Sequence, residues 1–394
     1  MRSEWRNVAV GELGRIVTGK TPKTAIAENY GGDISFLTPS DDMSVKIATD
    51  TAKTITERGL SEVKNCLLPT RSICVSCIGS DLGKVVMTSE PTVTNQQINS
   101  IIPGPEYDAD FIYYAMCILG KELNHISKTS TAVPIVNKSA FSSYTIDVPP
   151  LEEQRAIAAI LSAFDDKIAN NKKINQHLEQ MAQAIFKSWF VDFEPWGGVM
   201  PSDWSIGSLL DIADYLNGLA MQRFRPVEGE VGLPVLKIKE LRQGKCDASS
   251  ELCSPNIRHN YIVSDGDVIF SWSGSLLVDF WCGGDCGLNQ HLFKVTSTKY
   301  DKWFYYAWTR HHLEQFIAIA ADKATTMGHI KRENLANAEV LIPNEKDYAA
   351  ANELLAPIYE KIIETRVESY RLATLRDTLL PRLMSGELSV ADLT

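Results

Sequence analysis

Residues 151–189 read LEEQRAIAAILSAFDDKIANNKKINQHLEQMAQAIFKSW and follow directly on Pro149-Pro150. Apolar side chains step by three and four positions along this segment, which predicts one long helix with an apolar stripe of about four heptads. Asn171 and Asn175 interrupt the stripe, and polar residues at such positions can fix the register of a helix pair. The helix needs a partner, because its stripe cannot remain in water. The stripe consists of Ile157, Leu161, Phe164, Ile168, Leu178 and Ile185.

A second apolar stripe follows Pro343 and predicts that partner. The first helix is expected to end between Trp189 and Pro195 and the second near Pro381 and Gly386, since proline and glycine interrupt helices. Each helix would measure about 60 Å, at about 1.5 Å per residue. The simplest arrangement is an antiparallel coiled coil, and the alternative is two helices inside one compact core. The second stripe consists of Leu355, Ile358, Ile362, Leu372 and Leu375.

The segments in front of the two helices resemble each other at an offset of about 195 residues. The matching pairs are Gly11 and Gly207, Ser76 and Ser271, Gly79 and Gly274, Asn95-Gln96 and Asn289-Gln290, Tyr113-Tyr114 and Tyr305-Tyr306, and Ile135 and Ile330. The repeating unit is a whole domain with its helix, which is far longer than a solenoid repeat of about 20–50 residues. We therefore predict a pseudo-twofold internal repeat of two globular domains, residues 1–149 and 197–342, and two helical segments, residues 150–196 and 343–394.

Both globular domains are predicted to be mixed α/β. Short apolar runs predict strands at residues 33–37, 72–78, 233–238 and 267–272, and aromatic-rich runs predict helices at residues 111–123 and 303–316. Glycine and serine residues between these elements mark loops. The predicted fold class is thus α/β, with two tandem globular domains separated by two long helices that pack as an antiparallel coiled coil.

The composition is typical of a soluble globular protein, with 44% hydrophobic and 22% charged residues. The sequence has no apolar run of about 18 residues and begins without the apolar core of a signal peptide, so we expect a cytoplasmic protein with no membrane span. Its eight cysteines are then expected to be reduced. Cys74 with Cys77, and Cys282 with Cys286, could be halves of zinc sites, but neither pair has a matching second pair. Burial as small hydrophobic residues is the favoured interpretation.

The net charge of −10 argues against a protein that coats nucleic acid through bulk positive charge. Any DNA binding would use local basic clusters or positive charge from a partner. The densest cluster lies within residues 237–245, and smaller ones include Lys20, Arg223 and Lys331. Two similar domains on one chain suggest a target with two similar parts, and bipartite DNA is the leading candidate.

Residues 14–21 match the phosphate-binding pattern GxxxxGK[ST]. The surrounding sequence does not favour a nucleotide site, because Pro22 follows at once and the second domain has Asn217-Gly218-Leu219-Ala220 at the matching place. No apolar strand ending in aspartate supplies a clear Mg²⁺ ligand. Nucleotide hydrolysis is therefore a minor alternative.

A second pattern resembles a nuclease metal site. Asp50 with Glu62 and Lys64 has the order of residues in which carboxylates hold a metal and lysine steadies the nucleophile. The second domain lacks this pattern, and the seven histidines show no metal-binding spacing. The expected metal content is none, and a nuclease remains a second minor alternative.

The whole chain resembles the specificity (S) subunit of type I restriction–modification enzymes. The resemblance rests on Gly11-x-Leu13 with Thr18-Gly19-Lys20-Thr21-Pro22, and on residues 149–157, 183–195 and 379–388 in this order. Residues 343–346 depart from the Pro-Leu-Glu-Glu-Gln form that begins the first helix. The departure affects the transfer of individual residues in that region and leaves the architecture unchanged.

The resemblance implies that each globular half is a target recognition domain for one half of a split double-stranded DNA site. It also implies that the long helices pair, set the spacing of the half-sites and dock two methyltransferase (M) subunits. S-adenosylmethionine chemistry would belong to those subunits, and ATP with Mg²⁺ to separate motor-nuclease (R) subunits. This chain itself would bind no cofactor and carry no catalytic residues.

Candidate DNA-contacting residues lie on the loops that match between the two repeats. Polar side chains would contact base edges, and cationic ones would position the DNA backbone. In the first domain the candidates are Lys20, Thr21, Lys23, Ser80, Lys84, Gln96, Gln97 and Lys138. In the second they are Gln222, Arg223, Arg225, Lys237, Lys239, Arg242, Ser275, Gln290, His291, Lys331 and Arg332. The repeated Asn-Gln pairs are explained equally well as structural turns.

A scaffold that binds only proteins, with one partner on each repeat, is the remaining alternative. Sequence-selective DNA binding that weakens with salt would distinguish a DNA-recognition subunit from such a scaffold. A charge placed in the apolar stripe, as in Leu161→Asp or Ile168→Asp, is expected to weaken assembly with partners while the globular halves stay folded.

Overall fold

The structure, a computed structural model, describes residues 4–48, 50–79, 81–129, 135–322 and 328–392, with the backbone alone at residues 126–129. These residues form two compact units. Unit 1 comprises residues up to Asp166 together with those from Ala373 onward, and unit 2 comprises Lys167–Leu372. Each unit therefore contains one globular half and a part of both long helices. The division into residues 1–149, 150–196, 197–342 and 343–394 stays a prediction.

Unit 1 contains three sheets. Its strands are β1 Arg6–Ala9, β2 Gly14–Thr18, β3 Tyr30–Leu37, β4 Ile47–Ala48, β5 Thr54–Ile55, β6 Ile73–Ser76, β7 Val85–Thr88, β8 Thr92–Thr94, β9 Ile98–Pro103 and β10 Thr145–Val148. The sheet orders are β1-β10, β2-β9-β6-β7-β4 and β5-β3-β8. In the last of these, β3 runs parallel to β8 and antiparallel to β5.

Helices pack against the sheets of unit 1. They are α1 Glu57–Val63, α2 Ala109–Thr129, α3 Lys138–Ser143 and the first part of α4 Leu151–Phe190. Fully buried Phe111 and Tyr114 of α2 belong to the same hydrophobic cluster as Ile73 and Ile101 of the larger sheet. Leu161 of α4 lies in that cluster too. The first long helix is thus part of the domain core, since its apolar stripe is buried there rather than in the helix pair alone.

Unit 2 repeats the sheet plan of unit 1. Its strands are β11 Ser205–Ser208, β12 Asp214–Asn217, β13 Leu233–Leu236, β14 Leu252–Cys253, β15 Ile262–Val263, β16 Val268–Ser271, β17 Leu277–Phe280, β18 Cys286–Leu288, β19 Leu292–Thr296 and β20 Glu339–Ile342. Their orders are β11-β20, β12-β19-β16-β17 and β14-β13-β18-β15. As in unit 1, the third sheet has one parallel pair, β13 with β18. The predicted internal repeat is confirmed by the shared orders β2-β9-β6-β7 with β12-β19-β16-β17 and β5-β3-β8 with β14-β13-β18, while the edge strands β4 and β15 each occur in one unit of the described chain.

The helices of unit 2 differ from those of unit 1 in number and in their places between the strands. They are α5 Leu209–Ile212, α6 Ile238–Gln243, α7 Lys302–His311, α8 Leu313–Asp322, α9 Arg332–Ala336 and α10 Glu345–Met384, together with the second part of α4. The predicted helix at residues 303–316 is wrong in one respect, because it is divided at His312. The imidazole Nε2 of His312 bonds the carbonyl oxygen of Glu339 at 2.7 Å, which holds this residue at the break.

Strand β13 is two residues shorter than predicted, whereas the second long helix ends between Pro381 and Gly386, as predicted. The predicted strand at residues 233–238 ends at Leu236, because the Lys237 amide donates to the Glu240 carboxylate and starts α6. The second long helix passes Pro381 and ends at Met384. Leu383 and Met384 are buried in the unit 1 core, and this burial offsets the backbone hydrogen bond that proline cannot make. Among the described residues, no helix combines the length and apolarity needed to cross a bilayer.

The long helices pack antiparallel within each unit. In unit 2, Asn171 Nδ2 donates to Glu368 Oε2 at 2.8 Å and to Ser369 Oγ at 3.2 Å, and Thr365 Oγ1 donates to Asn175 Oδ1 at 2.6 Å. Asn171 is fully buried, and its Oδ1 has no hydrogen-bond partner. These residues form a polar layer between the helices. The layer occupies the interruption that the sequence predicts, and a shift of register would leave its buried polar atoms unpaired.

The other stripe residues differ in burial. Ile157, Leu161, Leu355 and Ile362 are buried, whereas Phe164, Ile168, Leu178, Ile185, Ile358 and Leu372 are half-buried. The sequence predicts Leu375 in the stripe or at a partner-docking face, and the structure leaves it outside the packing of the helix pair, with 52% of it exposed. Arg376 takes the inward position instead and pairs with Asp165, which also accepts a hydrogen bond from Tyr114. The stripe therefore shifts by one position where a half-buried ion pair replaces an apolar contact.

Asn171→Asp is expected to lower the free energy of unfolding by about 2–3 kcal/mol at neutral pH. The change removes the donor to Glu368 and places a second carboxylate beside it. Asn170→Asp is the matched control, since Asn170 is exposed on the same helix, and its effect should stay within about 0.5 kcal/mol. Chemical unfolding followed by circular dichroism measures both. Equal midpoints for the two variants would show that the polar layer does not stabilise the helix pair.

Candidate DNA interface

In unit 1 the loop after β2 crosses the turn between β8 and β9 at a glycine. The Gly19 amide donates to Ile98 O at 3.1 Å, and the Lys20 amide donates to Thr94 O at 2.8 Å. A Cβ atom on Gly19 would lie 2.2 Å from the carbonyl oxygen of Asn95. Glycine is required here because two backbone segments come into contact. The contact also fixes the backbone positions of Lys20 and Thr21.

Unit 2 has the same crossing with different residues around it. The Gly218 amide donates to Leu292 O at 3.0 Å, and the Leu219 amide donates to Leu288 O at 2.9 Å. A Cβ atom on Gly218 would lie 2.2 Å from the carbonyl oxygen of Asn289. Each glycine therefore crosses the turn that holds the repeated Asn-Gln pair of its own unit.

The repeated asparagines have a structural role, because each one holds the turn in which it lies. This supports the turn interpretation of the Asn-Gln pairs for the asparagine of each pair. Asn95 Oδ1 accepts the Gln97 amide at 3.1 Å, and Asn289 Oδ1 accepts the His291 amide at 3.2 Å. Both asparagines are buried. Their neighbours differ, because Gln96 is exposed and bonds Thr21 Oγ1 at 2.7 Å, whereas Gln290 is half-buried. The asparagine shapes each turn, and the glutamine remains a candidate contact.

Next to each crossing, a second loop pairs with the residues that follow a buried strand. The strand is β6 in unit 1 and β16 in unit 2. In unit 1 the Val136 amide donates to Cys77 O at 2.9 Å, and Ile78 forms an isolated bridge with Ile135. In unit 2 the Ile330 amide donates to Trp272 O at 3.1 Å, and Ser273 forms the bridge with His329. The sequence match of Ile135 with Ile330 is therefore shifted by one residue. The structural counterpart of Ile135 is His329.

The first-domain candidates fall into two groups. Lys20, Thr21, Gln96 and Gln97 lie around the glycine crossing, and the exposed Lys23 follows on the same loop. Lys84 and Lys138 are exposed at other places, where Lys84 pairs with Asp81 at 2.7 Å and Lys138 begins α3. Ser80 lies outside the described residues. The structure brings together five of the eight predicted residues of this domain.

The second-domain candidates are more dispersed. Gln290 and His291 lie at the crossing, and Ser275 is exposed beyond the strand end. Gln222, Arg223 and Arg225 are exposed on the segment that follows Leu219. Lys331 and Arg332 are exposed at the start of α9, next to the Ile330 contact. The structure thus places seven of these residues on chain segments that lead into or out of the shared crossing, and Ser275 just beyond it.

The densest basic cluster of the sequence is largely neutralised by neighbouring acids. Lys237 pairs with Glu251 at 2.7 Å, and Arg225 approaches the same carboxylate at 3.7 Å. Lys239 bonds Ser249 Oγ at 2.9 Å and lies 3.7 Å from Asp247, while Arg242 is exposed on α6. Hydrogen bonding and the charge of Lys237 lower the pKa of Glu251. A phosphate that binds here must compete with these acids, so the cluster is a weaker candidate than its density suggests.

The phosphate-binding pattern at residues 14–21 does not form a phosphate loop. Gly14–Thr18 is strand β2, whose backbone pairs with β9, and the next α-helix of the described chain begins at Glu57. A phosphate loop needs free amides at the start of a helix. Here the amides of Gly19 and Lys20 are already bonded. The nucleotide-binding alternative is therefore wrong for this motif.

The nuclease-like pattern has a structural role for at least one member. Glu62 lies in α1, and its Oε2 accepts the backbone amide of Lys23 at 2.9 Å. This hydrogen bond lowers the pKa of Glu62. Glu62 thus anchors the loop that carries Lys20 and Lys23. Among the described residues, no group of three or more His, Cys, Asp or Glu side chains is placed to hold a metal ion.

The cysteines of the two suspected zinc half-sites are buried. Burial raises the pKa of the Cys74 and Cys282 thiols to about 12 and also raises that of Cys77. Cys286 is buried as well. These thiols stay neutral at physiological pH, so they serve as small core residues, as the favoured interpretation of the sequence predicts.

Sequence reasoning missed an aromatic group at the crossing of unit 2. The Trp272 ring lies 6.1 Å from the His291 ring and 6.2 Å from the His329 ring, measured between centroids. Trp272 Nε1 donates to Asn217 Oδ1 at 3.0 Å. These residues come from four separate segments, and only the matching of residues 76–79 with 271–274 could have drawn attention to position 272.

The chain matches the family described as the type I restriction modification DNA specificity domain over residues 2–180 and 201–366. It is 28% identical over 419 residues to the specificity subunit of the type I restriction enzyme MjaIX from Methanocaldococcus jannaschii, covering 99% of this chain and 95% of that protein. It is 34% identical over 178 residues to the HindI specificity subunit of Haemophilus influenzae, covering 44% and 39% of the two chains.

A solved structure has the same fold. The S subunit of a type I restriction–modification system from M. genitalium matches with a TM-score of 0.60 and 15% identity, over 97% of each chain. At this identity the likeness concerns the fold alone. It agrees with the two similar units and the long helices described above.

Proposed function

Because the chain belongs to the type I restriction–modification DNA specificity family, we propose that each of its two units recognises one half of a bipartite double-stranded DNA sequence. The observation that carries this proposal is the repeated crossing of Gly19 with Asn95 and of Gly218 with Asn289. One loop geometry occurs twice with different side chains on it. Such an arrangement suits two separate readings on one target.

The exposed cations near each crossing support DNA as the target. Lys20 and Lys23 in unit 1, and Arg223 and Lys331 in unit 2, are exposed on the segments that enter or leave the crossings. Cations at such places position a duplex through its phosphates, and neighbouring polar groups contact base edges. The net charge of −10 leaves overall attraction to DNA weak, so positive charge from partner subunits would complete the binding surface.

The relatives are named as subunits of type I restriction enzymes, which suggests an assembly. We propose that the long helices set the half-site spacing and dock two methyltransferase subunits, to which motor-nuclease subunits are added. S-adenosylmethionine, ATP and Mg²⁺ would bind those partners, and this chain would bind no cofactor. The complex would act on DNA in the cytoplasm.

Salt-dependent DNA binding tests the function. The chain assembled with its methyltransferase subunits should select one bipartite sequence from a random duplex library, and its affinity should fall steeply as salt rises. A matched duplex with one half-site scrambled should bind much more weakly, since each mismatched base pair costs about 1–3 kcal/mol. Binding that ignores both salt and sequence would favour the protein-only scaffold.

The purified chain alone is expected neither to hydrolyse ATP nor to cut or methylate DNA. For ATP, the reason is that β2 and its hydrogen bonds occupy the place of a phosphate loop. For cleavage, Glu62 of the nuclease-like pattern is bonded to the Lys23 amide, and methyl transfer is assigned to the partner subunits. Phosphate release, plasmid nicking and transfer of radiolabelled methyl groups measure the three activities, with Lys20→Ala as the comparison. Turnover by homogeneous protein that Lys20→Ala abolishes would contradict the prediction.

A further inference from the structure

The two units share a backbone arrangement that we call the loop frame. It consists of the glycine crossing and the neighbouring loop that pairs with the end of the buried strand. In unit 1 the frame comprises Gly19, Asn95, residues 77–79 and residues 135–136, and in unit 2 it comprises Gly218, Asn289, residues 272–274 and residues 329–330. Gly79 and Gly274 both have positive φ angles, +87° and +65°. The backbone contacts correspond one by one, so corresponding side chains leave the frame at corresponding places.

The side chains on this frame differ between the units. Gln97 corresponds to His291, since both amides donate to the frame asparagine. Ile135 corresponds to His329, since both form the bridge to the strand end. Cys77 corresponds to Trp272, since both carbonyls accept the next backbone contact. A conserved backbone with changed side chains is the arrangement expected of two readers of different sequences.

In unit 2 the side chains form one surface group. His291 is half-buried and held by Ser273 Oγ, which lies 3.0 Å from its Nδ1. That bond leaves Nε2 as the second polar atom of the ring in either tautomer. His329 is exposed, and the indole of Trp272 lies beside both imidazoles. The indole donates to Asn217, so its polar atom is used inside the protein.

In unit 1 the same places have another chemistry. Ile135 is 64% exposed in the described part of the chain, so its aliphatic side chain lies at the surface of the frame. Cys77 is buried and therefore offers nothing to a ligand. Asn99 fills the space beneath, where its Oδ1 accepts from Thr18 at 2.6 Å and its Nδ2 donates to Val136 O at 3.2 Å. The exposed group on the unit 1 frame is thus aliphatic where unit 2 has imidazole.

We propose that Ile135 and His329 are corresponding specificity-determining residues, and that His291 acts with His329 in unit 2. The inference rests on the proposed function and adds residues to it. An aliphatic side chain contacts the C5-methyl group of thymine in the major groove. An imidazole N–H donates a hydrogen bond to N7 of either purine, or to O6 of guanine. Ile135 therefore selects thymine at one position of its half-site, and the two histidines select purines in the other.

Reciprocal exchange of the two residues tests the proposal. Full-length chains with Ile135→His or His329→Ile, each assembled with the methyltransferase subunits, are given a random duplex library, and the methylated molecules are sequenced. Ile135→His should lower the preference for thymine at one position about tenfold, and His329→Ile should change a different half-site by a similar factor. His291→Gln, which introduces the residue type of the corresponding position in unit 1, should alter the same half-site as His329→Ile.

Control variants distinguish a change in DNA sequence preference from a loss of folding or assembly. His259→Gln changes an exposed histidine of unit 2 that lies outside the loop frame, and it should leave both half-sites as in the wild type. In each variant the untouched half-site reports that the complex still assembles. If His329→Ile does not assemble, Ile135→His alone decides the question, because its side chain is mostly at the surface.

Three results would overturn the proposal. They are an unchanged preference in the exchanged half-site, equal changes in both half-sites, and a lower methylation rate with the same preference. Failure of the proposed function would look different, because the wild-type complex would then methylate without any bipartite preference.

Discussion

Replacing residues 197–342 by the corresponding segment of a relative is expected to change one half of the methylated DNA sequence completely and to leave the other half unchanged. The segment contains the whole loop frame of unit 2, whereas the frame of unit 1 belongs to a separate compact unit. Each frame is held by contacts inside its own unit, through Gly19 in one and Gly218 in the other. No frame contact needs a residue of the other unit.

The exchange must respect the contacts that the segment makes with the long helices. Phe186 and Phe190 of α4 pack on Trp308 of α7, and Arg366 of α10 pairs with Asp279 at 2.6 Å. A relative that keeps aromatic residues and the acid at these places is the suitable donor. Exchange of residues 4–149 serves as the matched control and should alter the opposite half. Modified-base sequencing of DNA from cells with each hybrid reports the outcome, and a change in both halves from one exchange would contradict separate readers.

Leu161→Asp is expected to unfold unit 1, with a loss of more than about 4 kcal/mol in the free energy of unfolding. Leu161 is fully buried in a cluster with Phe111, Leu380 and Leu383. A carboxylate there would have neither water nor a cationic partner from that apolar cluster. The structure therefore changes the sequence expectation that the globular half stays folded, because this position belongs to the domain core as well as to the helix pair.

Leu375→Asp is the matched control, since the same substitution is made on the other long helix at a site that is 52% exposed. Its effect on unfolding should stay within about 0.5 kcal/mol. Hydrogen exchange resolved by peptide measures both variants. Leu161→Asp should remove protection from β6 and β9, while Leu375→Asp should leave it as in the wild type. Protection of β6 and β9 that survives in Leu161→Asp would show that the helix does not complete the unit 1 core.

The sequence predicts the repeat and the long helices well. Both depend on local periodicity and on residues whose type is required by a single structural constraint. Gly19 and Gly218 are examples, since any side chain there would collide with a carbonyl oxygen. Asn171 and Asn175 are others, because polar residues inside an apolar stripe signal a buried polar layer. The exposure of Leu375 could not be predicted in this way, because it depends on a contact between residues far apart in the chain. A helix stripe drifts by one position when an ion pair such as Arg376 with Asp165 takes the inward place.

The site was less predictable, because it depends on contacts between distant segments. Trp272, His291 and His329 meet only after a strand end, a turn and a loop have come together. The offset that aligns Ile135 with Ile330 is plausible by residue type, yet the backbone bridge pairs Ile135 with the place of His329. The density of basic residues was a poor guide for a similar reason, since Lys237 and Lys239 pair with acids that lie 14 and eight positions away in the chain.

One loop frame, used twice, is expected to read two separate pieces of DNA. Sequencing of modified bases in DNA from cells that contain this chain with its methyltransferase subunits tests it most directly. We expect one methylated motif with two specified parts, separated by a gap of fixed length and free sequence. A single continuous motif, or methylation that depends on this chain but follows no sequence, would contradict it.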